Sequence, residues 1–137
     1  MNMHTGSCEC GDVTFEISGE LRPVTACHCR ECRKTSGHYG ASTYAATDQM
    51  TITRGRSLAW FQSTDRVRKG FCRRCGASLF WRLAGRDGLS VSAGAFDTDL
   101  PVRLAKHVFV SEKANYYDIT AGLPQAEGFD LDAMEVG

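Results

Sequence analysis

Apolar and polar positions alternate along much of this chain with a period of two. Val13, Phe15 and Ile17 are interleaved with Asp12, Thr14, Glu16 and Ser18, the pattern of a strand with one face buried. Gly19 then marks a turn. Further strands are expected over Gly40–Ala46, Met50–Thr53, Leu58–Gln62, Val67–Phe71, Ser78–Leu83 and Leu89–Ala93. They are short, and glycine or aspartate stands at most of the junctions between them. Only two stretches read as helical: Arg30–Ser36, ended by Gly37, and a turn over Glu112–Asn115. The pattern predicts a mainly β fold, a sandwich or barrel of short strands. Trp60, Phe61, Phe80 and Trp81 fall at strand spacing and are expected in its core.

With 137 residues, the chain makes one domain. We place that domain at residues 3–120. Beyond Gly122-Leu123-Pro124 the alternation stops, so 121–137 are read as a C-terminal extension whose last dozen residues are loosely ordered.

Sixteen Lys and Arg balance sixteen Asp and Glu, which argues against a nucleic-acid binder. Nine of the basic residues crowd between Arg54 and Arg86, so a basic face is available for a small anion. No apolar run is long enough to span a membrane, and the N-terminus lacks the basic start and apolar core of a secretory signal. A reducing cytoplasm is therefore expected, where closely spaced cysteines are metal ligands or catalytic groups more often than disulfides.

Seven cysteines form three clusters: Cys8-Glu9-Cys10, Cys27-His28-Cys29-Arg30-Glu31-Cys32, and Cys72-Arg73-Arg74-Cys75. An odd number cannot pair completely. Structural zinc takes four tetrahedral ligands, commonly as pairs on tight turns. Cys72-x-x-Cys75-Gly76 has that form, and Cys8-x-Cys10-Gly11 supplies a second pair. We therefore expect Cys8, Cys10, Cys72 and Cys75 to hold a structural zinc that ties the N-terminus to the middle of the chain. Cys27, Cys29 and Cys32 offer three sulfurs, which leaves a fourth position open, as in catalytic zinc sites. A zinc held by three thiolates is a weak Lewis acid, suited to binding another thiolate rather than to making hydroxide. His28 is an awkward fourth ligand between two others, and a different pairing with one spare cysteine remains an alternative.

These three clusters, with Gly6-Ser7 ahead of the first and Arg33-Lys34-Thr35-Ser36-Gly37 after the second, resemble the glutathione-dependent formaldehyde-activating family, also called the centromere protein V domain family. Ala93-Gly94-Ala95-Phe96-Asp97 and Lys106-His107-Val108-Phe109 match less closely, and Tyr116 stands where relatives often have tryptophan. The resemblance implies a β-tent fold shared with methionine-R-sulfoxide reductase domains. It also implies the same division of the cysteines into a structural and an active-site zinc, and a carbon–sulfur lyase activity that joins glutathione to formaldehyde. On that reading the partners are a small thiol and a small aldehyde. Arg30, Arg33 and Lys34 are the nearest cations in sequence to clamp glutathione's carboxylates, with a solvated helical turn as the plainer alternative. His107 is a candidate proton shuttle, against the alternative of a satisfied histidine at a strand end. Two other classes stay open: a non-catalytic zinc-binding interaction module, and a redox- or metal-responsive thiol protein using Cys27, Cys29 and Cys32.

Overall fold

The computed structural model describes residues 3–120 and 122–128. Ten strands and one short helix follow one another: β1 (Met3–Ser7), β2 (Thr14–Ser18), β3 (Val24–Cys27), α1 (Arg30–Ser36), β4 (Gly40–Ala46), β5 (Met50–Arg54), β6 (Leu58–Gln62), β7 (Val67–Cys72), β8 (Ser78–Leu83), β9 (Gly88–Ser92) and β10 (Leu104–Val108). The fold is mainly β, as the alternation predicts. The second helical stretch is a 3-10 turn over Val110–Glu112, two residues ahead of its expected place.

The strands form a three-stranded sheet ordered β1-β2-β5 and a seven-stranded sheet ordered β10-β3-β4-β9-β8-β7-β6. Neighbouring strands run antiparallel except β10, which lies parallel to β3. The core fills the space between the sheets. From the small sheet come Phe15 and Ile17, and from the large one Ala45, Phe80, Leu89 and Val91, all nearly inaccessible. Phe15 packs edge-on against Phe80 with centroids 5.4 Å apart, a favoured aromatic geometry. Trp60 stacks on Phe80, whereas Phe61 is 57% exposed, so these expected core aromatics divide between the two faces of their strands.

The register decides what the other face of the large sheet carries. Cys27 lies opposite Gly40, and Thr25 opposite Ser42. Ser42 pairs with Ser92 and Tyr44 with Ser90. Ser90 pairs with Trp81, and Trp81 with Lys69. Because side chains alternate along each strand, Thr25, Cys27, Ser42, Tyr44, Ser90, Ser92, Trp81 and Lys69 share the face turned away from the core.

Gly6 shows how closely β1 is packed between its neighbour Phe15 on β2 and the turn after β9. A Cβ there would lie 2.2 Å from Phe15 Cζ and 2.7 Å from the Ala95 carbonyl oxygen. Gly6→Ala is expected to destabilise the domain by about 1–3 kcal/mol through overpacking, read as a lowered urea midpoint at unchanged m-value.

Part of the C-terminal extension runs beside β10. His107 N–H donates to the Pro124 carbonyl at 3.0 Å, and Ala126 N–H to the His107 carbonyl at 2.9 Å. Residues 129–137, most of the stretch expected to be loosely ordered, lie outside the described residues.

Candidate metal centres and the cavity between them

Cys8-Glu9-Cys10-Gly11 and Cys72-Arg73-Arg74-Cys75-Gly76 form two turns of similar build. Gly11 and Gly76 both take φ near +82°, a conformation that glycine adopts without strain. Gly11 N–H donates to the Cys8 carbonyl, and Gly76 N–H to the Cys72 carbonyl. Backbone amides also reach the sulfurs, Val13 N–H to Cys8 Sγ at 3.2 Å and Cys75 N–H to Cys72 Sγ at 3.4 Å. The Cys75 thiol is pulled down to about 6, chiefly by the Ala77 backbone amide.

The four sulfurs of Cys8, Cys10, Cys72 and Cys75 all lie within 4.8 Å of one another. Cys8 to Cys10 is 3.6 Å and Cys10 to Cys72 is 3.8 Å. A tetrahedron with metal–sulfur bonds of about 2.3 Å has edges of about 3.8 Å, so the spacing suits a tetrahedral ion such as zinc. Two of the four residues are buried, and none of the four lines the large cavity described below. This cluster is closed.

The second cluster is built on the end of β3 and the start of α1. Cys27 ends the strand. Cys29 is the N-cap of the helix, its sulfur accepting from Cys32 N–H at 3.4 Å. Cys32 follows one turn later on the same side, as residues three apart on a helix do. Gly37 closes the helix in the left-handed conformation, donating to the Arg33 carbonyl at 2.9 Å. The sulfurs of Cys27, Cys29 and Cys32 also lie within 4.8 Å of one another. Gly40 leaves them room, since a Cβ there would sit 3.3 Å from Cys32 Sγ. Crowding makes the three thiols ionise unequally. Cys29 is pulled down by hydrogen bonds from Cys27 and then Cys32, Cys27 is pushed up chiefly by Cys29, and Cys32 is pushed up by Cys27 and then Cys29. Holding all three as thiolates thus calls for a cation among them.

Unlike the first cluster, Cys27, Cys29 and Cys32 all line a cavity of about 750 Å³. It runs along the face of the large sheet that carries Thr25, Ser42, Ser90, Ser92, Trp81 and Lys69. Trp81 thereby belongs to the cavity wall rather than to the core.

The other residues singled out in the sequence fall elsewhere. Arg30, Arg33 and Lys34 do not line the cavity, because α1 turns Cys32, Thr35 and Ser36 towards it instead. The Arg33 Nε is buried without a hydrogen-bond partner among the described residues. His107 is 8% exposed and also absent from the cavity wall. It pairs with Ala26 on β3, so it projects from the opposite face to Cys27. There its Nδ1 lies 2.9 Å from Nε2 of His28, whose Nδ1 is hydrogen-bonded to the Tyr117 hydroxyl. Burial, then His107, pull His28 down to about 4. This fully buried histidine lies behind the loop that carries Cys27, Cys29 and Cys32.

The residue missed in the sequence is Arg22. It is 5% exposed and lines the cavity. A cation set within the apolar run Leu21 to Val24 is the signal that could have found it, since charges enter such runs rarely.

A family model described as glutathione-dependent formaldehyde-activating enzyme matches residues 3–112. The chain belongs to this family. The matched segment takes in all seven cysteines and the whole of both sheets. A crystal structure of a Rhodobacter sphaeroides protein, a structural-genomics target, superposes with a TM-score of 0.57. It is 22% identical and covers 74% of this chain and 99% of its own, a likeness of fold. Family membership carries glutathione-dependent formaldehyde activation as the general chemistry, and the two cysteine clusters supply places for metal ions. Among the described residues no helix is long and apolar enough to cross a membrane.

Proposed function

We propose that this protein is a zinc-dependent enzyme of the carbon–sulfur lyase type that joins glutathione, or a closely related thiol, to formaldehyde or another small aldehyde. The observation that carries the reading is the contrast between the clusters: four sulfurs closed off from the cavity, and three sulfurs at its wall. On this reading Cys8, Cys10, Cys72 and Cys75 hold a structural zinc, and Cys27, Cys29 and Cys32 an active-site zinc. Zinc in the open site would lower the pKa of an incoming thiol and fix its sulfur in place.

The chain's own residues do the rest. The β3–α1 junction aims three sulfurs at one point, which sets where the substrate sulfur arrives. The cavity walls hold the aldehyde beside it, turning an encounter in solution into a positioned one. The sulfur lone pair attacks the carbonyl carbon and a C–S bond forms. The C=O π pair moves to oxygen, which takes up the proton the thiol gave away, so thiol and aldehyde give the hydroxyalkyl thioether without a further reactant. This reading gives His107 no step, since it projects from the face of the sheet opposite Cys27. A reducing compartment such as the cytoplasm suits seven thiols that must stay reduced.

The test uses zinc-replete protein, glutathione and ¹³C-formaldehyde, with exchange NMR reading the interconversion of free and adducted formaldehyde. Faster exchange than the spontaneous reaction supports the proposal. Unchanged exchange with glutathione and with other small thiols and aldehydes overturns it, and favours a non-catalytic zinc module.

A further inference from the structure

Resting on the assignment of the thiol to the Cys27, Cys29 and Cys32 end of the cavity, we propose that Arg22 forms a carboxylate subsite further along the same wall. It selects a thiol whose carboxylate lies one peptide unit beyond the sulfur-bearing residue.

Arg22 sits in the connection between β2 and β3 and is held from several sides. Its N–H donates to the Tyr44 carbonyl at 3.5 Å, and its own carbonyl accepts from the Thr43 hydroxyl at 2.5 Å. The guanidinium lies 5.8 Å from the centroid of the Tyr44 ring. Nε donates to the Pro23 carbonyl at 3.2 Å and Nη2 to the Ser42 carbonyl at 2.9 Å. A guanidinium has five N–H groups in a planar fork. These two bonds leave others free, and the side chain borders the cavity.

No carboxylate among the described residues pairs with Arg22. Burying an unpaired cation is costly, and burial pulls Arg22 down to about 10, which still leaves it charged at neutral pH. The acidic residues on the cavity wall are Glu31 and Glu112. Both belong to the cysteine end, Glu31 on α1 and Glu112 accepting from the backbone N–H of Arg30. The Arg22 end therefore presents a positive charge with no carboxylate counter-ion among the described residues, a setting that favours an anionic group from outside.

The register gives the span. Cys27 faces Gly40, and the Ser42 carbonyl that Arg22 binds is two residues further along β4. At about 3.3 Å per residue that is roughly 7 Å. An extended peptide advances about 3.3–3.6 Å per residue, so a carboxylate on the residue after the thiol-bearing one reaches this distance. The glycine carboxylate of glutathione is such a group, whereas free cysteine carries its carboxylate on the same residue as its sulfur and falls short. The hydroxyls of Thr25, Ser42 and Ser92 line the interval and can bond the intervening amide.

Binding tests this without requiring turnover. Zinc-replete protein is titrated calorimetrically with S-methylglutathione, which cannot form the adduct, and with its glycine-amide. In the wild type, loss of the carboxylate is expected to weaken binding about 10- to 100-fold. In Arg22→Gln the two ligands are expected to bind alike, at the weak level. Arg22→Lys, which keeps the charge but loses the fork, is expected to fall between. Equal binding of acid and amide by the wild type overturns the subsite, and so does an acid preference retained in Arg22→Gln. Should Arg22→Gln not fold, Arg22→Lys decides with the wild-type comparison: because Lys69 also lines the wall, an acid preference undiminished in Arg22→Lys overturns the assignment to Arg22. A protein showing the full acid preference but no acceleration of adduct exchange would keep the subsite and lose the enzyme assignment.

Discussion

Replacing Cys72 by serine is expected to abolish the cooperative thermal transition of the protein and to lower its bound metal below two equivalents. Cys72 ends β7 and is fully buried. Its partners Cys8 and Cys10 lie beyond β1, on the other sheet. An ion among Cys8, Cys10, Cys72 and Cys75 thus fastens the small sheet to the large one across more than sixty residues of chain, where cross-linking removes much freedom from the unfolded state. Structural zinc contributes about 10–16 kcal/mol in small domains, and a whole domain is stable by only about 5–15 kcal/mol. Loss of one ligand of four therefore removes an amount comparable to the entire stability. Serine also withdraws the sulfur that accepts the Cys75 amide. Circular dichroism melting with metal analysis checks this, and Cys75→Ser should behave alike. A Cys72→Ser protein that melts where the wild type does would show that the closed cluster is not what joins the sheets.

Much of this arrangement is legible in the sequence because it depends on local rules. The alternation of Val13, Phe15 and Ile17 places β2 with its buried face correctly. The glycine after each cysteine pair marks the left-handed residue that both turns need. Gly37 ends α1 where the pattern says it should. The strands that escape are those whose stability comes from partners rather than from their own pattern. β1, Met-His-Thr-Gly-Ser, has little apolar character, yet His4 and Gly6 are inward because β2 lies beside it. β3, Val-Thr-Ala-Cys, is covered on both faces and so shows no alternation. β10 is held by parallel pairing to β3 from far away in the chain.

The site follows the same division. The thiol clusters are read from spacing within a few residues. A clamp of Arg30, Arg33 and Lys34 follows from nearness in sequence, but a helix shows only one side to a cavity, and on α1 Glu31, Cys32, Thr35 and Ser36 occupy it. Arg22 reaches the wall through the register of β3 and β4, which no short window contains. His107 is misleading for a related reason: it neighbours the cysteine strand, but a pleated sheet sends adjacent positions to opposite faces.

Cys29→Ser is expected to leave the fold intact and to remove at least about 100-fold of the adduct-forming acceleration. The first half follows from position. Cys29 caps α1, its sulfur accepting the Cys32 N–H, and serine is among the preferred N-caps. The hydroxyl takes over that bond, so the melting temperature should move by no more than about 4 °C, the shift that roughly 1 kcal/mol produces in a domain of this size. The second half follows from chemistry. Only Cys27 and Cys32 would remain, and a serine hydroxyl stays protonated where a thiolate is required, so the open site loses both a ligand and the geometry that places the substrate sulfur. The pair of serine variants separates the roles of the clusters. If Cys29→Ser unfolds as Cys72→Ser does, the division into a structural and an open site is lost. If it folds and still accelerates exchange, the chemistry lies away from this cluster. A folded Cys29→Ser protein that has lost the acceleration, and retains the Cys8, Cys10, Cys72 and Cys75 metal, is the outcome that the placement of three sulfurs at the cavity wall requires.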